Sequence, residues 1–266
     1  MERKLGILAE CIRSNDPVDN LKLMHDAGFN CYMIDAGNIA LENASRIVEA
    51  GNALGMTCES LHSPFKGINY MWQYGLNYLT VYNGIKTAID TASALAIPTV
   101  VVHVSSGWDA PAVNDLGLSR YDVIVDYAAV KGVKVAFENL RMVGNLACLA
   151  DRYAKFSHVG FCYDFGHEHC YTETVRWMDI FKNRLLTTHI HDNNGRPEDP
   201  KGDGDLHLMP FEGDVDYAEC IAGLDKYNYE GALVLELTNS RYEDMDPNEF
   251  ITKAYANLKK IADMSK

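Results

Sequence analysis

The segment Ile85-Lys-Thr-Ala-Ile-Asp-Thr-Ala-Ser-Ala-Leu-Ala-Ile-Pro-Thr-Val-Val-Val-His103 contains one complete unit of the predicted fold. Apolar residues at helical spacing (Ile85, Ile89, Ala92 and Ala96) predict an amphipathic helix, and Pro98 predicts its end. The next residues, Thr99–Val102, form a continuous apolar run that is typical of a parallel strand buried on both faces. The ionisable His103 follows the strand at once.

The same order of helix, apolar run and polar residue recurs along the chain. Strand-type runs occur at Leu5–Ala9, Asn30–Ile34, Thr57–Leu61, Thr99–Val102, Lys134–Phe137, Val159–Tyr163, Leu185–Ile190 and Ala232–Leu237. Helical segments lie between them, for example from Asp16-Pro17 to Gly28, around Leu41, Ala44 and Val48, from Tyr121 to Gly132, and from Asp246-Pro247 onward.

Eight strand–helix units in a chain of this length predict an α/β fold, the (β/α)8 TIM barrel. A doubly wound open sheet is the competing architecture, but no GxGxxG motif follows the first strand. No Pro/Gly/Ser-rich linker divides the sequence, so residues 1–266 are predicted to form a single domain. The segment 192–213 is the one large irregular insertion that we expect.

Composition narrows the class of protein further. The chain has 266 residues, 24 Lys+Arg against 37 Asp+Glu, a net charge of −13 and a hydrophobic share of 47%. This share excludes a disordered chain, and no apolar run approaches the roughly 20 residues of a membrane span. The start lacks the pattern of a signal peptide, and the seven scattered cysteines form no CxxC pair, so we expect reduced thiols in a cytoplasmic protein. Strong acidity argues against nucleic acid as a partner.

An ionisable residue stands at the end of every predicted strand, and seven of the nine histidines lie there or in the loops that follow (His62, His103, His167, His169, His189, His191 and His207). In a barrel these strand ends converge on one rim. Imidazoles and carboxylates together are the ligand set of zinc, manganese, iron or cobalt, and clustered carboxylates repel one another without a cation. The pattern therefore predicts a metal site, whereas Glu10 and Asp35 are interpreted as ordinary strand-end residues.

Five motifs carry a resemblance to a known superfamily: Val135-Ala-Phe-Glu138-Asn-Leu, Cys162-Tyr-Asp164-Phe-Gly-His167, Thr188-His189-Ile-His-Asp192-Asn, Asp205-Leu-His207-Leu-Met-Pro and Val234-Leu-Glu236-Leu. In this order they resemble the xylose isomerase-like TIM barrels, which include sugar and sugar phosphate isomerases and epimerases, inosose dehydratases and the endonuclease IV family of abasic-site nucleases. The sugar branch implies one divalent metal on Glu138, Asp164, His189 and Glu236. His189 is preferred to His191, although strand alternation turns both side chains to the same side.

The nuclease branch implies two further ions, one on His62 and His103 and the other on His167, Asp205 and His207. The expected cofactor is thus one to three divalent ions of manganese, zinc, cobalt or magnesium. The residues around these ligands depart from the nuclease pattern at Pro64-Phe65, Val104-Ser105 and His191-Asp-Asn193. Together with the negative charge, these departures disfavour nucleic acid as the substrate.

The resemblance favours an isomerase or epimerase of a small sugar, sugar phosphate or inosose, acting by proton transfer through a metal-stabilised enediolate. Glu138 and Glu236 are the predicted acid–base pair, and His167 is predicted to orient a hydroxyl or to move a proton. The predicted substrate-binding residues are His191, Trp108, Phe65, Arg141 and Arg196. A homo-oligomer is left open.

Three alternatives stay open on the sequence. A multinuclear phosphoesterase would use all nine predicted ligands to activate water. A dehydratase or another lyase on a keto-polyol would share the enediolate chemistry. A metal-stabilised binding protein would show no turnover. Metal stoichiometry discriminates between the isomerase and the phosphoesterase, since one tightly bound ion favours the isomerase and two or three favour hydrolysis.

Overall fold

The structure is a computed structural model that describes residues 3–35, 41–199 and 201–265. Eight parallel strands form one sheet in the order β7-β6-β5-β4-β3-β2-β1-β8. Their bounds are β1 Leu5–Leu8, β2 Cys31–Asp35, β3 Thr57–His62, β4 Thr99–Val102, β5 Lys134–Glu138, β6 Val159–Asp164, β7 Leu185–His189 and β8 Leu233–Leu235. The backbone N–H of Ile190 donates to Val234 (2.9 Å) and that of Glu236 donates to Ile190 (3.0 Å), which bridges the last two strands. The sheet is therefore a nearly closed barrel, and the predicted fold class is confirmed.

Helices cover the outside of this barrel. Within the described residues the α-helices are α1 Pro17–Ala27, α2 Leu41–Ala53, α3 Leu79–Ala94, α4 Asp115–Lys131, α5 Val143–Arg152, α6 Phe165–Tyr171, α7 Trp177–Phe181, α8 Tyr217–Lys226 and α9 Pro247–Ala262. Short 3-10 turns occur at Ile68–Trp72, Lys182–Arg184 and Asn239–Arg241. Asp16 caps α1 by accepting a hydrogen bond from the backbone of Val18, and Gly28 ends this helix in the left-handed conformation. None of the described helices is both long enough and apolar enough to cross a membrane.

The structure corrects one detail of the predicted helix before β4. Helix α3 ends at Ala94, and Ala96 is exposed in a left-handed turn with φ of 55°. The buried position in this turn belongs instead to Ile97. A helical period continued past the end of the helix assigns the wrong residue to the core, because the chain has already turned toward the strand.

Alternation along the strands is what builds the site. Small and medium side chains fill the barrel interior in two clusters, which contain Leu8, Cys31, Met33, Ala232 and Val234 on one side and Val101, Ala136 and Cys162 on the other. Residues two positions further along a strand share its inward face. The next inward positions are accordingly Glu10, Asp35, His103, Glu138, Asp164 and Glu236. We call the rim that these carboxyl-terminal strand ends form the barrel mouth.

Gly160 offers a test of the sheet packing. A Cβ added there would lie 2.2 Å from the backbone oxygen of Arg184. Gly160→Ala should therefore lower the free energy of unfolding by about 1–3 kcal/mol, because two backbones would have to separate. Gly144→Ala is the matched control: nothing lies within 4 Å of its added Cβ, and alanine favours helix α5 by up to about 1 kcal/mol. Urea denaturation of both variants measures the difference, and equal midpoints would contradict this account of the packing.

Candidate metal centre

The carboxylate of Glu138 lies at the centre of the barrel mouth. Its side chain is fully buried at the end of β5. The Oε1 atom lies 3.1 Å from Nδ1 of His189, and Oε2 lies 3.0 Å from Nε2 of His103 and 3.3 Å from Nε2 of His62. One carboxylate thus faces imidazoles from three other strands or their ends.

A first group of ligand atoms surrounds the Oε1 side of this carboxylate. It consists of Glu138, Asp164, His189 and Glu236, whose ligand atoms all lie within 4.8 Å of one another. We call it the central cluster. His189 stands between the two glutamates, with its Nδ1 3.3 Å from Oε2 of Glu236. These are the four residues that the sugar branch of the superfamily implies.

A second group, the histidine cluster, lies on the Oε2 side and consists of His62, His103 and Glu138. The Nε2 atoms of the two histidines are 3.1 Å apart. The two clusters share Glu138, so this carboxylate is in a position to bridge two ions.

A third group, the loop cluster, consists of His167, His191, Asp205 and His207. The Nε2 atom of His167 lies 3.2 Å from Oδ2 of Asp205, and Nε2 of His207 lies 3.2 Å from Oδ1 of the same carboxylate. The nuclease branch implies three of these residues, and His191 joins them.

The orientation of the imidazoles fits metal binding. His62, His167 and His207 each turn Nδ1 to a backbone oxygen at 2.8–3.0 Å and leave Nε2 facing the clusters. Histidines that bind metals use their second nitrogen in this way, since the outer hydrogen bond fixes the ring and its tautomer. Buried ligand-type atoms without a hydrogen-bond partner in the described structure add to the fit: Oδ2 of Asp164, Nε2 of His189, both ring nitrogens of His191 and Oδ1 of Asp205. Such atoms are costly inside a protein unless a ligand contacts them.

The charges of the clusters are strongly coupled. Burial opposes ionisation of Glu138, but His189 and His103 outweigh it and hold the pKa of this carboxyl well below its usual range. The pKa of Asp205 is likewise lowered, against the effect of burial, by His167 and His191. Conversely, burial alone would lower the pKa of His189, while Cys162, Glu236 and Glu138 raise it well above its usual value. Burial lowers the pKa of His103, whereas the pKa values of His189 and His167 are raised, so the latter two favour the ionised carboxylates most in the metal-free protein.

The donor set restricts the kind of ion. Nitrogen and carboxylate oxygen atoms suit zinc, manganese, cobalt or iron, and the three clusters contain these donors. One additional combination includes Cys162 with Glu138 and His189, and burial raises the pKa of this thiol to about 12. The predicted divalent metal is thus compatible with the residues present, and the identity of the ion stays a prediction.

The predicted substrate-binding residues fall into two places. Phe65 stacks on His103 with ring centroids 4.4 Å apart and is 44% exposed at the barrel mouth. Trp108, Arg141 and Arg196 gather around Tyr171, outside the metal clusters. Both arginines already bind the protein: Arg141 pairs with Asp203 at 2.6 Å, and Arg196 donates to the backbone oxygen of Tyr171 at 2.6 Å. His191, the fifth residue of this prediction, lies in the loop cluster.

Sequence reasoning missed two features of the mouth. The place of His191 beside His167, Asp205 and His207 could have been suspected, because His189 and His191 share one face of the chain by alternation. Glu10, interpreted as an ordinary strand-end residue, is half-buried, and its buried Oε1 lacks a hydrogen-bond partner among the described residues. Burial, opposed by a hydrogen bond from the backbone of Asp35, raises its pKa to about 8. No sequence pattern distinguishes such an acid from an exposed one.

Comparisons with known proteins agree with this architecture. The family model described as "Xylose isomerase-like TIM barrel" matches residues 21–261. An uncharacterized protein of Sinorhizobium fredii is 26% identical over 256 residues, which cover 91% of this chain and 77% of that protein. Two crystal structures share the fold. The IOLI protein with a zinc atom has a TM-score of 0.79 at 14% identity, with 97% of this chain and 98% of that chain covered. The 3-keto-D-glucoside 4-epimerase of E. coli has a TM-score of 0.73 at 18% identity, with 97% and 100% covered.

Proton release on metal binding follows from the raised histidine pKa values. His167, His189 and His207 hold protons at neutral pH in the metal-free protein, since each pKa is raised, that of His207 to about 10. Coordination needs the neutral rings, so adding Zn²⁺ to weakly buffered protein should release protons. Fewer protons compete as pH rises, and the apparent affinity should increase from about pH 6 to about pH 8. A pH indicator measures the release, and pH-independent binding would contradict the assigned ligands.

Proposed function

Because this chain belongs to the xylose isomerase-like TIM barrel family, we propose that it is a divalent-metal-dependent isomerase or epimerase of a small sugar or inosose. The observation that carries the proposal is the central cluster. It places two carboxylates, Glu138 and Glu236, on either side of His189 at the barrel mouth, at 3.1 Å and 3.3 Å from the same nitrogen. Reversible proton transfer at carbon needs such a pair of acid–base groups within one site.

Glu138, Asp164, His189 and Glu236 would hold the metal ion. When bound, a divalent ion supplies Lewis-acid stabilisation of negative charge on a substrate oxygen. The remaining chemistry belongs to the chain itself. Burial excludes water from Glu138 and Asp164, which strengthens their electrostatic interactions with whatever enters the site.

The two glutamates differ in access. Glu138 is fully buried and faces three strand-end histidines, whereas the side chain of Glu236 is 19% exposed. The pKa of each is lowered despite burial, in both cases with His189 as the main opposing charge, so both are proton acceptors at neutral pH. Glu236 is the better placed to meet a substrate first and to remove its proton. Glu138, which is ionised, would take up the proton of a substrate hydroxyl and deliver it to the carbon, and Glu236 would give the proton that it removed to the oxygen of that hydroxyl.

The surroundings of the mouth favour a neutral sugar over a sugar phosphate. Phe65 offers an exposed aromatic face beside His103, which suits the apolar face of a sugar ring. A phosphate would need free cationic groups, but Arg141 and Arg196, the two predicted anion-binding residues, already bind Asp203 and Tyr171. His167 is held by the backbone oxygen of Asn139 and by Asp205, so its proposed role is to keep the rim in place around the hydroxyls.

A multinuclear phosphoesterase is the second candidate. The histidine cluster favours it, since His62 and His103 share Glu138 with the central cluster and thus allow two neighbouring ions. Metal analysis by plasma mass spectrometry on protein prepared without chelator or nickel resin is the first measurement. A metal content that His62→Ala leaves unchanged supports the isomerase, and an additional ion that His62→Ala removes supports hydrolysis.

The reaction itself is tested on a panel of ketoses and inososes in deuterated water. An isomerase or epimerase should incorporate deuterium at the carbon next to the carbonyl. Apart from this deuterium, the product should have the same mass as the substrate. Loss of water from the product would instead identify a dehydratase. Absence of exchange and of products across a broad panel, with metal bound, would contradict the proposed enzyme class and favour a binding protein.

Substitution of the acid–base pair tests the assignment. On a substrate found in the panel, Glu236→Gln should reduce kcat by about 10²–10⁴-fold, because the amide accepts no proton at neutral pH. Glu138→Gln should have an effect at least as large, since it also weakens the metal site. Glu249→Gln, which changes an exposed glutamate in α9, is the control and should retain full turnover. Full activity in either site variant would contradict the assignment.

A further inference from the structure

We propose that the loop cluster is a closed metal site, with His191 as its fourth protein ligand, whose ion holds the segment 192–213 against the barrel. This role differs from water activation, for which a metal site keeps an open position. The proposal concerns metal binding and loop stability and does not depend on which reaction the central cluster performs.

The state of His191 is the first observation. The side chain is fully buried, and neither ring nitrogen has a hydrogen-bond partner in the described structure. Its Nε2 lies 3.2 Å from Oδ1 of Asp164 and 3.3 Å from Oδ1 of Asp205, and Nε2 of His207 approaches the latter oxygen to 3.2 Å. A buried imidazole that comes this close to two carboxylates without a hydrogen bond of its own is explained if its nitrogen and the oxygen of Asp205 point at one ion.

The packing around His191 fixes the position of its imidazole ring. A Cβ on Gly166 would lie 2.0 Å from Cε1 of His191, so the ring occupies space that only glycine leaves free. On its other side the ring stacks on His207 with centroids 4.0 Å apart. His207 itself has a positive φ of 45°, a strained conformation for a residue with a side chain. Strain of this kind persists where the surroundings require a particular side-chain position.

The number of ligands decides the role of the site. His167, His191 and His207 offer three nitrogens and Asp205 one oxygen within 4.8 Å of one another, the number of protein ligands that a structural zinc ion would take. Structural zinc sites have four protein ligands, whereas catalytic sites have three and a water molecule. With all four residues bound, an ion in the loop cluster would have no position left for a substrate or an attacking water molecule.

The ligands join two parts of the chain. His167 lies in α6 and His191 two residues beyond β7, while Asp205 and His207 lie in the long segment 192–213. Within its described residues this segment contains no helix, and its one strand-like contact is the bridge between Asp192 and Leu208. It carries the contacts to Trp108 and Arg141 through Gly202 and Asp203. An ion in the loop cluster would thus order the wall of the barrel mouth.

Limited digestion with trypsin tests whether an ion holds the segment 192–213 in place, because the exposed Lys201 lies inside this segment. Zinc-loaded wild type should be cleaved at Lys201 at least about tenfold more slowly than the chelator-treated protein. Zinc-loaded His191→Ala should contain one zinc ion fewer and be cleaved like the metal-free protein. Asp205→Asn should behave in the same way and serves as a second variant if His191→Ala does not fold. Cleavage at the exposed Lys155 provides the internal reference.

Two controls separate the loop cluster from the rest of the site. His169→Gln changes a histidine of the same helix outside the clusters, and Glu236→Gln changes the central cluster; both should keep Lys201 protected when zinc is present. The difference spectrum between Co²⁺-loaded wild type and His191→Ala should show intense tetrahedral-type absorption that azide leaves unchanged. Unaltered zinc content in His191→Ala, unaltered cleavage after loss of the ion, or a spectrum that shifts with azide would each overturn the proposal.

Discussion

The arrangement of the barrel mouth depends on the buried carboxylate of Glu138. It has no exposed surface, and its two oxygens face histidines that follow or end β3, β4 and β7. A charge in such a place is unstable unless opposite charges surround it. The histidines meet this requirement when protonated, and a divalent ion would meet it while freeing their nitrogens for coordination. The fold, the ionisation of the site and its affinity for metal are therefore parts of one electrostatic balance.

The three clusters differ in what surrounds them, and this difference suggests a division of roles. The central cluster opens toward solvent through Glu236, while the histidine cluster shares Glu138 with it. The loop cluster instead takes two of its four members, Asp205 and His207, from the segment 192–213, and the side chain of His207 is 35% exposed. A barrel of this kind gains a rigid reaction site from its strands and an adjustable wall from its loop, because strands are fixed by neighbours on both sides and loops are not.

Much of the fold and of the candidate site could be predicted from the sequence. Continuous apolar runs, Asp16-Pro17 at a helix start and Gly28 and Gly132 at helix ends correspond to the observed elements. The prediction failed at Ala96, where a helical period extends past the real end of the helix. It also had no means of finding the raised pKa of Glu10, since the burial that raises it arises from residues distant along the chain.

By itself, the sequence determined the eightfold alternation of strand and helix and the ionisable residue at each strand end, because strand periodicity and capping act over a few neighbouring positions. Alternation also placed His189 and His191 on one face of the chain, without separating their roles. Only the tertiary structure decided that His189 faces Glu138 and Glu236, whereas His191 faces Asp164 and Asp205. The reason is physical: the partners of each imidazole come from different strands and loops, and barrel closure and the space left by Gly166 determine which of them it meets.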